Sequence, residues 1–124
     1  MIPILLVAAG GALGAVARFL VSTAVTQRLG GQWPWGTLII NLSGCFLISL
    51  FLGAGTGRIA ESNLRYLLPI GFVGAYTTFS TWMLETWRLA EDGAVVLALA
   101  NAGGSIAAGL VAVVAGLTVG RLLA

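Results

Sequence analysis

The sequence has no histidine, no lysine and a single cysteine, and its charge amounts to six arginines and four acidic residues in 124. Each scarcity removes a class of function. Without histidine, and with Cys45 alone inside an apolar run, the usual zinc and iron spacings, a disulfide framework and a Cys/His nucleophile pair are disfavoured. Enzymatic chemistry is not expected. Six scattered arginines are too few for a nucleic-acid patch, so the pI of about 9.3 reflects scarcity of charge rather than a basic surface. Charged residues make up 8% of the chain, where a soluble domain carries about a quarter.

What is present is apolar. Hydrophobic residues account for 59% of the chain and the mean hydropathy is +1.04. A spanning helix needs about 20 apolar residues, so residues 1–124 are expected to form one unit of four transmembrane helices with short loops. No basic residue precedes the first apolar run, unlike the charged leader of a cleaved signal peptide, and that run is read as a retained helix. The expected spans are 2–28, 36–55, 63–88 and 93–123. Gly30-Gly31-Gln32-Trp33-Pro34-Trp35 forms the first loop, with two tryptophans suited to a membrane interface. Residues from Thr56 through Arg65 form the second, and Glu91-Asp92-Gly93 the third.

Orientation follows the distribution of arginine over short loops. With the N-terminus inside, Arg58, Arg65 and Arg121 face one side while Arg28 and Arg88 face the other. So even a split permits insertion in both orientations, and hence an antiparallel homodimer of oppositely inserted copies. The other reading is that further features fix a single topology. Small residues recur where helices in lipid approach closely, among them Gly10 and Gly14, Gly44 and Gly53, and Gly103, Gly104, Gly109, Gly116 and Gly120.

The polar residues inside the spans carry the functional signal. Arg18 lies well within the first span, where an arginine at the centre costs about 2.5–3.5 kcal/mol on insertion scales. It either snorkels or lines an aqueous vestibule that gathers anions, and the Gly/Ala-rich stretch before it favours the vestibule. Helical spacing puts Thr37, Asn41 and Gly44 on one face, where the Asn41 carboxamide is either interhelical glue or an N–H donor to an ion. In the third span, Gly71 and Gly74 precede Tyr76-Thr77-Thr78-Phe79-Ser80-Thr81-Trp82. Glycines followed by β-branched threonines make a poor uninterrupted helix. A break is expected there, and carbonyls freed at membrane depth commonly bind a cation. Phe79, Trp82 and Glu85 recur every three residues on one face, as packing or as a path. In the fourth span Asn101, Ser105 and Gly109 form a thin polar track. An inventory rich in uncharged donors and poor in intramembrane acids suits a small anion better than a cation or a proton-coupled substrate, and aromatic ring edges are electropositive.

These stretches resemble the Fluc (CrcB) fluoride channel family. The resemblance rests on Gly10-Gly11-Ala12-Leu13-Gly14-Ala15-Val16-Ala17-Arg18-Phe19, on Gly36-Thr37-Leu38-Ile39-Ile40-Asn41-Leu42-Ser43-Gly44, and on Gly71-Phe72-Val73-Gly74 through Thr77-Thr78-Phe79-Ser80-Thr81. It implies an all-α membrane protein with a broken third helix, assembled in the cell membrane as an antiparallel dual-topology homodimer. The implied activity is passive, fluoride-selective export that relieves fluoride toxicity. Asn41 would be the pore amide, Phe79 and Trp82 the ring box, and Arg18 a vestibule residue. Thr78, Ser80 and Thr81 would belong to the hydroxyl-rich break, Glu85 would be the acid after it, and Ser105 would lie on the polar track. The carbonyls of Gly74 and Thr77, two from each copy, would hold a structural sodium ion at the dimer centre. Three positions depart from the family pattern: Trp82 for a usual Phe, Ala75 for a frequent Gly, and Asn101 for a common Tyr. A small four-helix multidrug exporter is the main alternative, but it needs an acid in its first helix, and residues 1–60 contain none. An accessory subunit glued to a larger membrane complex is the other.

Overall fold

A proline in the first turn of a helix sacrifices no hydrogen bond, because its N–H position has no partner there. With Pro3 so placed, α1 runs from Ile2 to Leu29 and stops at Gly30, whose φ of 83° only glycine adopts easily. In the computed structural model, which describes residues 1–55 and 62–124, four helical segments are long and apolar enough to cross a membrane. After α1 come α2 (Trp35–Ala54), a third span Tyr66–Glu91 in two pieces, and α5 (Val95–Leu123). The first piece, α3, is π-helical over Tyr66–Val73 and closes with one α-helical turn, Gly74–Tyr76. The second, α4, is Phe79–Glu91. The chain is therefore an all-α, multi-pass membrane protein with a broken third helix.

The boundaries of the later spans shift from the expected ones for identifiable reasons. The third span continues past Arg88 to Glu91 because its stop lies at Gly93, where φ is 80°. There the Gly93 N–H bonds the Ala90 carbonyl at 3.1 Å and the Ala94 N–H bonds the Leu89 carbonyl at 2.9 Å. This is the paired closure of a left-handed helix end, and it moves the start of the fourth span to Val95. The π-helical stretch was not legible from composition. Pro69 lies within it; proline lacks a donor and crowds the carbonyl four residues back, and a wider turn accommodates both. Part of the expected second loop, including Arg58 and its share of the charge count, lies outside the described residues.

Close approach at glycine holds the helices together. A Cβ on Gly10 or Gly14 would run into the Leu67 and Phe72 carbonyls of α3, and one on Gly71 would meet the Val7 carbonyl of α1 at 2.9 Å. Gly53, Gly116 and Gly120 do the same between α2 and α5, where the added atom at Gly53 would lie 2.8 Å from the Leu117 carbonyl. Gly103 and Gly104, by contrast, lie on a face of α5 where, among the described residues, nothing outside the helix lies within 4 Å of an added Cβ. The interior is small, with Ile40, Val73, Tyr76 and Ala98 as its buried apolar residues, while large side chains such as Phe19, Leu110 and Val111 point outward. That inside-out distribution is what a lipid solvent permits.

Candidate functional site

The break in the third span is narrower than the sequence suggests. Gly74 keeps helical angles (φ −59°, ψ −36°), and only Thr77 (φ −82°, ψ 159°) and Thr78 (φ −147°, ψ 120°) turn extended. Two side chains make this tolerable in a medium without water. Asn41 closes a two-point clamp on Thr78: its Oδ1 accepts from the Thr78 N–H at 2.8 Å, and its Nδ2 donates to the Thr78 carbonyl at 3.0 Å. Thr78 then caps α4, its Oγ1 accepting from the Thr81 N–H at 3.3 Å and donating to Thr81 Oγ1 at 3.1 Å. Leaving such buried groups unpaired costs about 1–3 kcal/mol each.

The clamp has a consequence for the carbonyls. In a continuous helix the Thr78 N–H would bond Gly74 and the Thr81 N–H would bond Thr77. Here Asn41 and the Thr78 hydroxyl take those donors, so the Gly74 and Thr77 oxygens lose their helical partners. Arg18 points at the same end of α3, its Nη1 3.5 Å from the Thr77 carbonyl, at the outer limit of a hydrogen bond. A guanidinium is favoured at a helix C-terminus. Arg18 also lines a cavity of about 290 Å³ with Ser22, Thr23, Thr37, Thr78 and Thr81. Gly74 is exposed, and among the described residues nothing outside its own helix lies within 4 Å of an added Cβ.

On the other side of the break, a groove of about 470 Å³ runs between α2, α4 and α5. Asn41, Thr77, Thr78, Phe79, Trp82 and Ser105 all line it, and among the described residues no carboxylate does. Phe79 and Trp82 meet edge to face, with centroids 5.6 Å apart and planes at 71°. Phe79 is 70% exposed, although it sits at mid-span.

The expected stripe of Phe79, Trp82 and Glu85 divides. Glu85 Oε1 accepts from Thr37 Oγ1 at 2.8 Å, and Glu85 lines a separate cavity of about 490 Å³ toward the first loop, with Arg88 and Asp92. Among the described residues its Oε2 and the Trp33 indole N–H are buried without a partner. Asn101 does not line the groove: it is 1% exposed and donates through Nδ2 to Thr86 Oγ1 at 2.8 Å. The Trp82 indole N–H, extra relative to a phenylalanine, donates to the Asn101 carbonyl at 3.1 Å. Thr86 is a residue that sequence reasoning missed; its only signal is its place one helical turn after Trp82. Ser43 was likewise missed. It donates to the Ile39 carbonyl at 2.7 Å and meets the Tyr76 hydroxyl at 2.9 Å, anchoring the last turn of α3 to α2. Ser80 and Thr81 are exposed beside Phe79.

The sequence has relatives among known proteins. A protein from Acidobacterium capsulatum named "Fluoride-specific ion channel FluC" is 47% identical over 116 residues, covering 93% of this chain and 93% of its own. One from Magnetococcus marinus with the same name is 46% identical over 118 residues, covering 94% and 96%. "Fluoride-specific ion channel FluC 2" of Moorella thermoacetica is 49% identical over 106 residues, covering 86% of each chain. Residues 5–117 match the family described as CrcB-like protein, Camphor Resistance (CrcB), and the chain belongs to that family.

Proposed function

We propose that the chain is one subunit of a fluoride-selective channel of the cell membrane, and that two copies, oppositely inserted, assemble into the conducting unit. The observation that carries this reading is the groove. It gathers an amide, hydroxyls and two aromatic rings at mid-membrane and, among the described residues, no carboxylate, a lining that favours a small, strongly hydrated anion and offers a proton-coupled exporter no acid to titrate. The names of the relatives agree with it. Fluoride gathers near Arg18, exchanges water for the hydroxyls and the amide around the break, and passes Phe79 and Trp82 down its gradient. No energy source is needed.

The homodimer is supported by what one copy leaves uncovered. Phe79, Ser80, Thr81 and Gly74 are exposed near the middle of the third span. Hydroxyls and carbonyls at that depth are stable only against protein or water, and a second copy supplies both a cover and the other groove wall. The sodium ion implied by the family fits this chain's oxygens. The Gly74 and Thr77 carbonyls are neutral, hard donors deprived of helical partners, suited to a hard cation, and Gly74 is open toward a partner. Two such carbonyls from each copy would hold the ion, which would neutralise the two helix ends and pin the breaks together.

The test is fluoride efflux from liposomes holding the purified protein, compared with chloride. Fluoride flux far above chloride flux is expected, and Phe79→Ile should suppress it while the dimer persists. A folded dimer passing no fluoride would overturn the channel reading and favour an accessory subunit.

A further inference from the structure

Serine and threonine hydroxyls within helices commonly donate back to the carbonyl four residues earlier. Ser43, Ser49, Thr77, Thr86 and Thr118 all do so, at distances between 2.7 and 3.2 Å. Ser105 does not. Its Oγ is buried in the wall of the groove and has no partner among the described residues. The carbonyl that Ser105 would use belongs to Asn101, and that oxygen accepts the Trp82 indole N–H at 3.1 Å. A carbonyl has two lone pairs. Within α5 one serves the helix's own N–H, the indole occupies the other, and no site remains for the Ser105 hydroxyl.

The indole is itself held in place. Asn101 Nδ2 donates to Thr86 Oγ1 at 2.8 Å, and Thr86 Oγ1 donates to the Trp82 carbonyl at 2.8 Å. α4 and α5 are thus braced at two points one helical turn apart, one through the indole and one through the Asn101 side chain. We propose that Trp82 is a positioning residue for Ser105: by capping the Asn101 carbonyl, its indole N–H keeps the Ser105 hydroxyl free to donate to an anion in the groove. Trp82 then has two tasks, a ring beside Phe79 and a donor that sets the orientation of a hydroxyl on the neighbouring helix. A phenylalanine at the same position supplies the ring alone.

The proposal rests on the groove being the fluoride path, and a double-mutant cycle separates the two. Trp82 is replaced by benzothienylalanine, which keeps the shape of the indole and lacks only the N–H, and by phenylalanine as a second variant. Each is combined with Ser105→Ala, dimers are isolated, and fluoride efflux from liposomes is measured. In the native background, Ser105→Ala is expected to lower flux roughly tenfold, the scale of one hydrogen bond to a charged group. The benzothienyl substitution should lower it similarly, because the hydroxyl turns back onto the Asn101 carbonyl, and adding Ser105→Ala should then cost little more. Equal losses from Ser105→Ala in both backgrounds would overturn the positioning role while leaving the path intact, and so would native flux in Ser105→Ala alone. If Phe79→Ile and Trp82→Ala also conduct as native, the path assignment falls with it.

Discussion

A single carboxamide holds the centre of this molecule together. Asn41 satisfies both backbone groups of Thr78, so whatever donor it presents to an ion, it first makes an extended backbone tolerable at mid-membrane. Asn41→Ala strands two buried groups, a loss of about 1–3 kcal/mol each. Thermal unfolding of the purified dimer should show a lower midpoint, and fluoride efflux should fall at least in proportion to the protein lost. Asn41→Asp retains the acceptor for the Thr78 N–H and loses the donor to its carbonyl, so its stability should lie between native and Asn41→Ala, with flux still suppressed. Equal stability of the two variants would mean that the clamp matters less than its geometry implies. Trp82 shows the same economy: its ring stands with Phe79 while its N–H reaches α5.

At the scale of elements, glycine decides where helices touch, and each contact differs in how far it can yield. An added Cβ at Gly14 meets the Phe72 carbonyl, part of a rigid backbone, whereas at Gly44 it meets the Thr77 methyl. Overpacking of this kind costs about 1–3 kcal/mol. Gly14→Ala should therefore lower the yield of folded protein with no simple rescue. Gly44→Ala should displace the break and reduce flux, and Thr77→Ser, which removes the obstructing methyl, should restore it. Stability and efflux of the double variant check this directly. Gly103→Ala should leave the subunit's own fold unchanged, since none of the described residues outside its helix lies within 4 Å of the added Cβ. A loss of dimer in that variant would instead mark the open face of α5 as part of the contact between copies.

For the whole molecule, the proposed dual-topology dimer rests on the near balance of arginine across the loops and the uncovered polar patch around Phe79. Cysteine labelling of both termini from one side of the membrane should find two populations, and a single population would end the dual-topology reading. Sodium makes a separate prediction. If the Gly74 and Thr77 carbonyls hold it, exchange for a bulky organic cation should lower the thermal midpoint of the dimer. A ligand at a hundred times its dissociation constant stabilises by about 2.7 kcal/mol. A midpoint indifferent to sodium would leave those carbonyls to Arg18 and water.

Much of this was legible before any fold was known. Four spans follow from hydropathy and length, because in lipid only helices satisfy a backbone of this composition. The first and third loops follow from the placement of glycine, tryptophan and charge, whereas the left-handed closure at Gly93 does not. The face carrying Thr37, Asn41 and Gly44 follows from helical periodicity, and all three do meet the third span, at Glu85, Thr78 and Thr77. What sequence alone could not supply is partnership. Periodicity places a side chain on a face but does not say which carbonyl on another helix it will reach. The π-helical entry to the break, the capture of Thr78 by Asn41, the separation of Glu85 from the aromatic pair and the diversion of Asn101 to Thr86 all depend on rotations and heights of helices far apart in the chain. Those are fixed by packing at glycine, and only the tertiary structure decides them.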